Sequence, residues 1–146
     1  VFNFTTGAFP NQIHALVINR ANNRVYVPSI GASPNGPVRF TVNMHALVSV
    51  FDAAALQDTN QTVNIHRNIQ FEPPGQRLFM SNPVAMAFRR NGTEGFIVSA
   101  ATNHLVKFNL DGSGAVTINP PAAANQPSGV IRTLVGKNPR GIVINN

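Results

Sequence analysis

The chain has 146 residues, of which 43% are hydrophobic and only 11% charged, with a net charge of +6. This is a globular composition long enough for one domain with a core, and no apolar run approaches the ~18 residues of a membrane helix. With no cysteine there is no disulfide, thiolate metal site or Cys-x-x-Cys-His haem attachment, and the scattered basic residues, adjacent only at Arg89-Arg90, lack the footprint of a nucleic-acid binder.

Asn, Thr, Ser, Gly and Pro carry the polarity, which suits short strands joined by turns. After a lead-in over 1–10, the stretch NQIHALVIN predicts a strand over 13–18. RVYVPSI, rich in β-branched and aromatic residues, predicts a strand over 24–29. The Pro34-Asn35-Gly36-Pro37 turn opens an insertion over 31–45, in which Val38, Phe40, Val42 and Met44 alternate as in a hairpin arm. ALVSVFDAA predicts a strand over 47–52, and a fourth falls within 62–71. The best helix candidate, 52–57, is about one turn long.

The order then repeats. Strands are predicted over 84–88 and 95–99, then over NHLVKFNL, then over 130–136, with an insertion at 111–128 before the last. Asn11, Asn82 and Asn138 each open a turn followed by a mostly apolar run, so they mark three starts of one unit. The units are 11–81, 82–137 and the beginning of a third over 138–146.

The predicted fold is all-β, with about two four-stranded antiparallel units and the first strand of a third, as in the blades of a β-propeller. The residues resemble the YVTN-type propeller repeat. Tyr26-Val27-Pro28-Ser29 stands for its Tyr-Val-Thr-Asn strand, and Val48-Ser49-Val50-Phe51-Asp52 for its Val-Ser-Val-Ile-Asp strand. Gly136-Lys137-Asn138-Pro139-Arg140-Gly141-Ile142-Val143 stands for Gly-x-x-Pro-x-Gly-Ile-Ala. The second unit departs: Phe96-Ile97-Val98-Ser99 replaces the Tyr-Val strand, and Val106-Lys107-Phe108-Asn109-Leu110 lacks the Asp. Propellers close with about 4 to 8 blades, so the chain is expected to be part of a longer protein, with the rest of the ring on the same or another chain. A small free-standing sandwich is the alternative.

The resemblance implies an exported bacterial or archaeal protein, periplasmic or extracellular. Some relatives resemble lactonase or nitrous-oxide-reductase propellers. Others look like propeller portions joined to di-haem cytochrome c peroxidase-like domains, in which case haem c lies elsewhere in the complete protein and none on this chain. His14, in a first strand, would line the central channel of such a ring. His45, His66 and His104 occupy non-equivalent positions, so the four histidines predict no common metal cluster. Among the carboxylates Asp52, Asp58, Glu72, Glu94 and Asp111 no spacing suggests an acid–base pair, and Asp52 resembles a turn residue capping backbone amides. There is no Gly-x-Ser-x-Gly and no phosphate-cradling glycine loop. Asn3, Asn60 and Asn91 open Asn-x-Thr sequons.

Arg89, Arg90, Lys137 and Arg140 lie at turns around the blade starts and would form a positive rim for an acidic protein partner or anionic ligand if those turns share an edge. The resulting expectation is a non-catalytic docking or ligand-binding scaffold. Its alternatives are the propeller part of a redox or electron-transfer enzyme, and a lactonase-like hydrolase, which needs converging carboxylates or histidines.

Overall fold

In the first unit β3 (Arg24–Ala32) and β4 (Met44–Asp52) form a long antiparallel hairpin, paired from Arg24↔Asp52 to Ala32↔Met44. A computed structural model describes residues 9–33, 38, 43–66, 69, 72–118 and 132–145. The insertion predicted at 31–45 therefore begins and ends as a continuation of this hairpin, Ser33 N donating to Asn43 O at 2.9 Å; the tip, with Phe40 and Val42, lies outside the described residues. Asp52 accepts the N–H groups of Ala54 and Ala55 at 2.9 and 2.8 Å, so the helix candidate is a capped turn. Beyond it β5 (Gln57–Asp58) and β6 (Val63–Asn64) pair with β4 as two pieces of one outer strand.

The strand predicted over 13–18 is broken. β1 (Phe9–Ile13) and β2 (Val17–Asn19) pair with the two ends of β3, and residues 14–16 leave the ladder. The cause is on the facing strand. Ser33 donates to Asn43 and Ala53 to Asn23, so the odd-numbered residues of β3 bond with β4 and the even-numbered ones turn their N–H groups toward β1 and β2. Pro28 is even-numbered and has no N–H, and the break falls beside it: β2 reaches Tyr26 and β1 stops at Ser29. A bulge between Asn11 and Ile13, with Gln12 at φ 48°, adds to the irregularity.

The second unit repeats the plan with β7 (Pro83–Phe88), β8 (Glu94–Ser99) and β9 (His104–Leu110). Asp111 caps a tight turn through Ser113 N and Ala115 N, which returns the chain at once to pair as β10 (Val116–Thr117). The fourth strand resumes as β11 (Arg132–Leu134), opposite Val106 to His104. The excursion predicted between strands three and four thus splits the fourth strand; 119–131 lie outside the described residues. Arg24↔Asp52 and Glu94↔Asn109 are equivalent pairs, so Asn109 stands where Asp52 does and Phe108 where Phe51 does. Asn82 and Asn138 share a left-handed conformation, φ 59° and 51°, which Asn tolerates best among non-glycine residues. After Asn138 the chain does not pair into a strand; instead Ile142 packs on the outer face of the second sheet with Val84, Ala85, Val98, Ala100 and Leu105.

Both sheets are antiparallel and one curls into a half-barrel, an all-β architecture consistent with part of a β-propeller. Among the described residues no helix is long and apolar enough to cross a membrane. Alternation puts Tyr26, Ala46, Val48 and Val50 on one face of the first sheet, against Met86, Ile97, Val106 and Phe108 of the second. Phe88 stands between Tyr26 (centroids 4.7 Å) and Phe108 (5.5 Å, perpendicular). Each large side chain buried here contributes about 1.5–3 kcal/mol.

At one end of this seam the sheets touch backbone to side chain. Asn19 Nδ2 donates to Gly92 O at 2.7 Å, and Asn19 Oδ1 accepts Ala21 N at 3.0 Å. Gly92 sits at φ +69°, and a Cβ there would lie 2.2 Å from Ala21 Cβ and 2.9 Å from Asn19 Oδ1. Gly92→Ala is expected to lower stability by about 1–3 kcal/mol, from a forced left-handed alanine and a parted seam. Urea unfolding checks this; a midpoint equal to the parent's would show that the sheets do not rely on that contact.

Candidate functional site

Two features of the structure are unusual for a packed β domain. The first is the outer face of the first sheet. Val25, Val27, Ser49 and Phe51 point away from the seam and, with Pro10, Ile13, Leu16 and Leu56, form an open apolar groove of about 560 Å³. Ile13 is 61% exposed, Leu16 64% and Leu56 88%. The break in the inner strand that Pro28 imposes puts Ile13 and Leu16 at its lip. Ser49 and Asp52 are the polar residues in its lining and its surface is otherwise apolar, so it offers shape and dry contact.

The second feature is a buried polar cluster at the end of the seam away from Gly92. Glu72, on the segment joining the units, is held by Arg132 of β11, whose Nη1 lies 2.5 and 2.6 Å from the two carboxylate oxygens. Both side chains are less than a tenth exposed. His66 Nε2 accepts Met80 N at 2.8 Å, which places the ring proton on Nδ1. Burial, and then the charges of Arg132, His45 and His104, push the His66 pKa down from its ordinary value to about 3. His104, fully buried on the same face as Arg132, is also pushed down, by burial first and by Arg132. His45 is buried near them, its Nδ1 2.7 Å from Asn64 Nδ2. Beside them Ser99 Oγ meets Thr102 Oγ1 and Ser81 O, each at 2.5 Å, tying the joining segment to the second sheet.

Of the four histidines, His45 and His104 lie near enough to His66 to act on it electrostatically, more weakly than burial does. Still, among the described residues no three His, Cys, Asp or Glu side chains are grouped to hold a metal ion. His14 lies in the break between β1 and β2, exposed, and not in a strand.

The proposed rim is also corrected. Arg89 and Arg90 are on the β7–β8 turn, where Arg89 Nε lies 3.1 Å from Glu94 Oε2 and its guanidinium 6.0 Å from the Phe96 ring centroid. Lys107 takes the other Glu94 oxygen at 2.6 Å. Lys137 and Arg140 are exposed near the opposite turn, where Asn103 Oδ1 accepts Asn138 N at 2.7 Å. The two pairs are separated by the length of β8, roughly 20 Å, and share no edge. They alternate because one turn leaves a unit's first strand and the other leads into the next unit.

Sequence reasoning missed Glu72 and Arg132 as partners. A lone cation in the apolar run VIRTLV and a carboxylate set between Phe71 and Pro73 were the available signals. No family model matches the chain, and neither a curated protein nor a solved structure is similar to it.

The histidines set an acid limit. In the unfolded chain His66 takes up its proton near pH 6.5, whereas the folded chain refuses it until about pH 3. Its contribution to stability is thus intact above pH 6.5 and is lost as pH falls toward 3. Thermal midpoints should drop between pH 6.5 and 4.5, where ordinary carboxylates remain ionised, and the drop should shrink in His66→Gln, whose amide oxygen can still accept Met80 N–H. Equal slopes in the two proteins would locate the acid sensitivity elsewhere.

Proposed function

We propose that the chain is a non-catalytic β-propeller scaffold of the YVTN-repeat type within a larger exported protein, and that it works by docking other β-sheets and protein partners on its faces. The observation that carries this reading is the apolar groove on the first sheet. The groove's intended occupant is a further four-stranded sheet of the same repeat. Val27 and Phe51 in the groove are the equivalents of Ile97 and Phe108, which the second sheet turns toward the first. The first sheet thus repeats on its outer side the surface that already serves as one half of the seam. Exposed leucines at the lip, an almost wholly apolar groove, and the wide spacing of the basic turns favour docking over turnover.

The test uses the chain itself. Micromolar protein should bind a fluorescent apolar dye and self-associate in sedimentation. Leu16→Asp combined with Leu56→Asp should weaken both by about tenfold or more, the equivalent of ~1.4 kcal/mol, with an unchanged circular dichroism spectrum. A parent that stays monomeric and leaves the dye dark would overturn the docking reading, as would turnover of a substrate by the chain alone.

A further inference from the structure

Residues 141–145 read Gly-Ile-Val-Ile-Asn, an uncharged, β-branched run with the composition of a strand. Yet no backbone group of 139–145 shares a hydrogen bond with another described residue. The segment is nevertheless held in place. Asn138 N donates to Asn103 Oδ1, and Ile142 packs with Val84, Val98 and Leu105. Counting from Asn82 and Asn138, Pro139 stands where Pro83 does, Ile142 where Met86 does and Ile144 where Phe88 does. Met86 and Phe88 are the β7 residues in the seam with the first sheet. Ile142 and Ile144 are likewise half-buried, whereas Val143 between them is 92% exposed. The segment thus sits against the second sheet as β7 sits against the first. What it lacks is the strand beside it. Arg89 N donates to Glu94 O, so the odd-numbered residues Ala85, Ala87 and Arg89 exchange hydrogen bonds with β8. Their equivalents are Gly141, Val143 and Asn145. A Cβ added at Gly141 would meet nothing within 4 Å, so the space there is open.

We propose that residues 141–145 are one half of a strand pair and bind an antiparallel β-strand of a partner, in the place that β8 takes beside β7. Gly141, Val143 and Asn145 carry the backbone bonds to it. The partner strand is one with apolar residues at alternate positions. Those opposite Ile142 and Ile144 stand where Ile97 and Gly95 do and face the outer side of the second sheet. The existing seam argues for this occupant, because there Met86 and Ile97 of one strand pair already lie together against the neighbouring sheet. A strand edge without the charge or proline that commonly blunts it is a template for such pairing. The contact is made by main chain on the second sheet, whereas the groove offers apolar area on the first. It rests on the reading of the chain as a repeat scaffold that docks β-structure, and its test is separate from that of the groove.

The probe is a synthetic peptide of residues 93–100, which carries β8. In a ¹⁵N–¹H spectrum it should shift the amide cross-peaks of Gly141, Val143 and Asn145 saturably and slow their exchange with deuterated solvent by about tenfold or more. The chain carrying Leu16→Asp and Leu56→Asp should respond like the parent. Val143→Pro removes one donor at an exposed position and should abolish the shifts at Gly141 and Asn145 with an unchanged thermal midpoint. Should Val143→Pro fail to fold, a peptide N-methylated at Phe96, the residue opposite Ala87 in the ladder, takes its place and should leave the parent's three cross-peaks unmoved. No saturable shift up to about 1 mM peptide, where a site of about 0.1 mM affinity is mostly filled, overturns the proposal. So do shifts that survive Val143→Pro or the N-methylated peptide, or that vanish in the chain with both leucines replaced. A parent that stays monomeric and leaves the dye dark while these three amides respond would remove the groove from the docking reading and leave the strand site standing.

Discussion

Tyr26 is the residue on which both sheets close. Its ring fills the seam against Phe88, and its hydroxyl donates to Gly114 O at 2.7 Å while accepting Asn22 Nδ2 at 2.9 Å. An apolar ring and a satisfied hydroxyl on one side chain let the seam pass from dry core to polar edge without an unmet group. Gly114 permits this by coming close: at φ +79° it carries no Cβ, which would stand 3.0 Å from Arg24 Cδ and 3.1 Å from Asn22 Nδ2. Farther out the contact continues through Gln61, which donates to Ser113 Oγ and accepts Arg24 Nη1. The turn end of the seam is therefore fixed by directional hydrogen bonds, its middle by packing, and its other end by the Glu72–Arg132 pair. Packing alone tolerates sliding, so the polar ends set the register between the sheets.

The parts of this arrangement that depend on alternation were legible in the sequence. Period-two patterns located β3, β4, β8 and β9; of the three asparagines read as unit starts, Asn82 and Asn138 share one backbone conformation, whereas Asn11 lies in β1 opposite Ile30 and Gln12 takes the left-handed turn. What the pattern could not show depended on a neighbour. Residues 13–18 are as strand-like as any in the chain, yet the strand breaks because Pro28, on a different strand, offers no donor there. The sequence contains Pro28, but only the pairing parity of β3 tells which neighbour it deprives. The fourth strands expected within 62–71 and over 130–136 are present as β6 and β11, but each is only one of two short pieces on its edge, β5 and β10 being the others.

The polar cluster was harder to foresee for the same reason. Glu72 and Arg132 are 60 residues apart and meet only because the joining segment crosses the seam that β11 closes. Comparing the units shows what that segment contributes. Ser29 and Ser99 are equivalent and both fully buried, but Ser99 Oγ is bonded to Thr102 and Ser81, whereas Ser29 Oγ has no partner. Thr102 belongs to the tight β8–β9 turn, which in the first unit is replaced by the hairpin arm. The arm extends the sheet at the cost of a hydroxyl partner, a local frustration that an undecorated repeat would not carry.

The two outer faces differ, and the difference gives the stack a direction. The outer face of the first sheet is the apolar groove, with Val27 and Phe51 at its floor. The outer face of the second sheet is apolar only at the Val84–Val98–Ala100 end, where Ile142 already sits. Its other end carries Glu94 between Arg89 and Lys107, with Arg89 over Phe96. Two copies of the groove face would meet without any polar register, whereas groove against second-sheet face reproduces the order of surfaces in the existing seam. Face-to-face self-pairing would also end with a dimer, since an isologous contact uses the same patch twice. Groove-to-second-sheet contact is heterologous and leaves a fresh groove at the end of each added pair, which is the geometry by which blades continue around a ring.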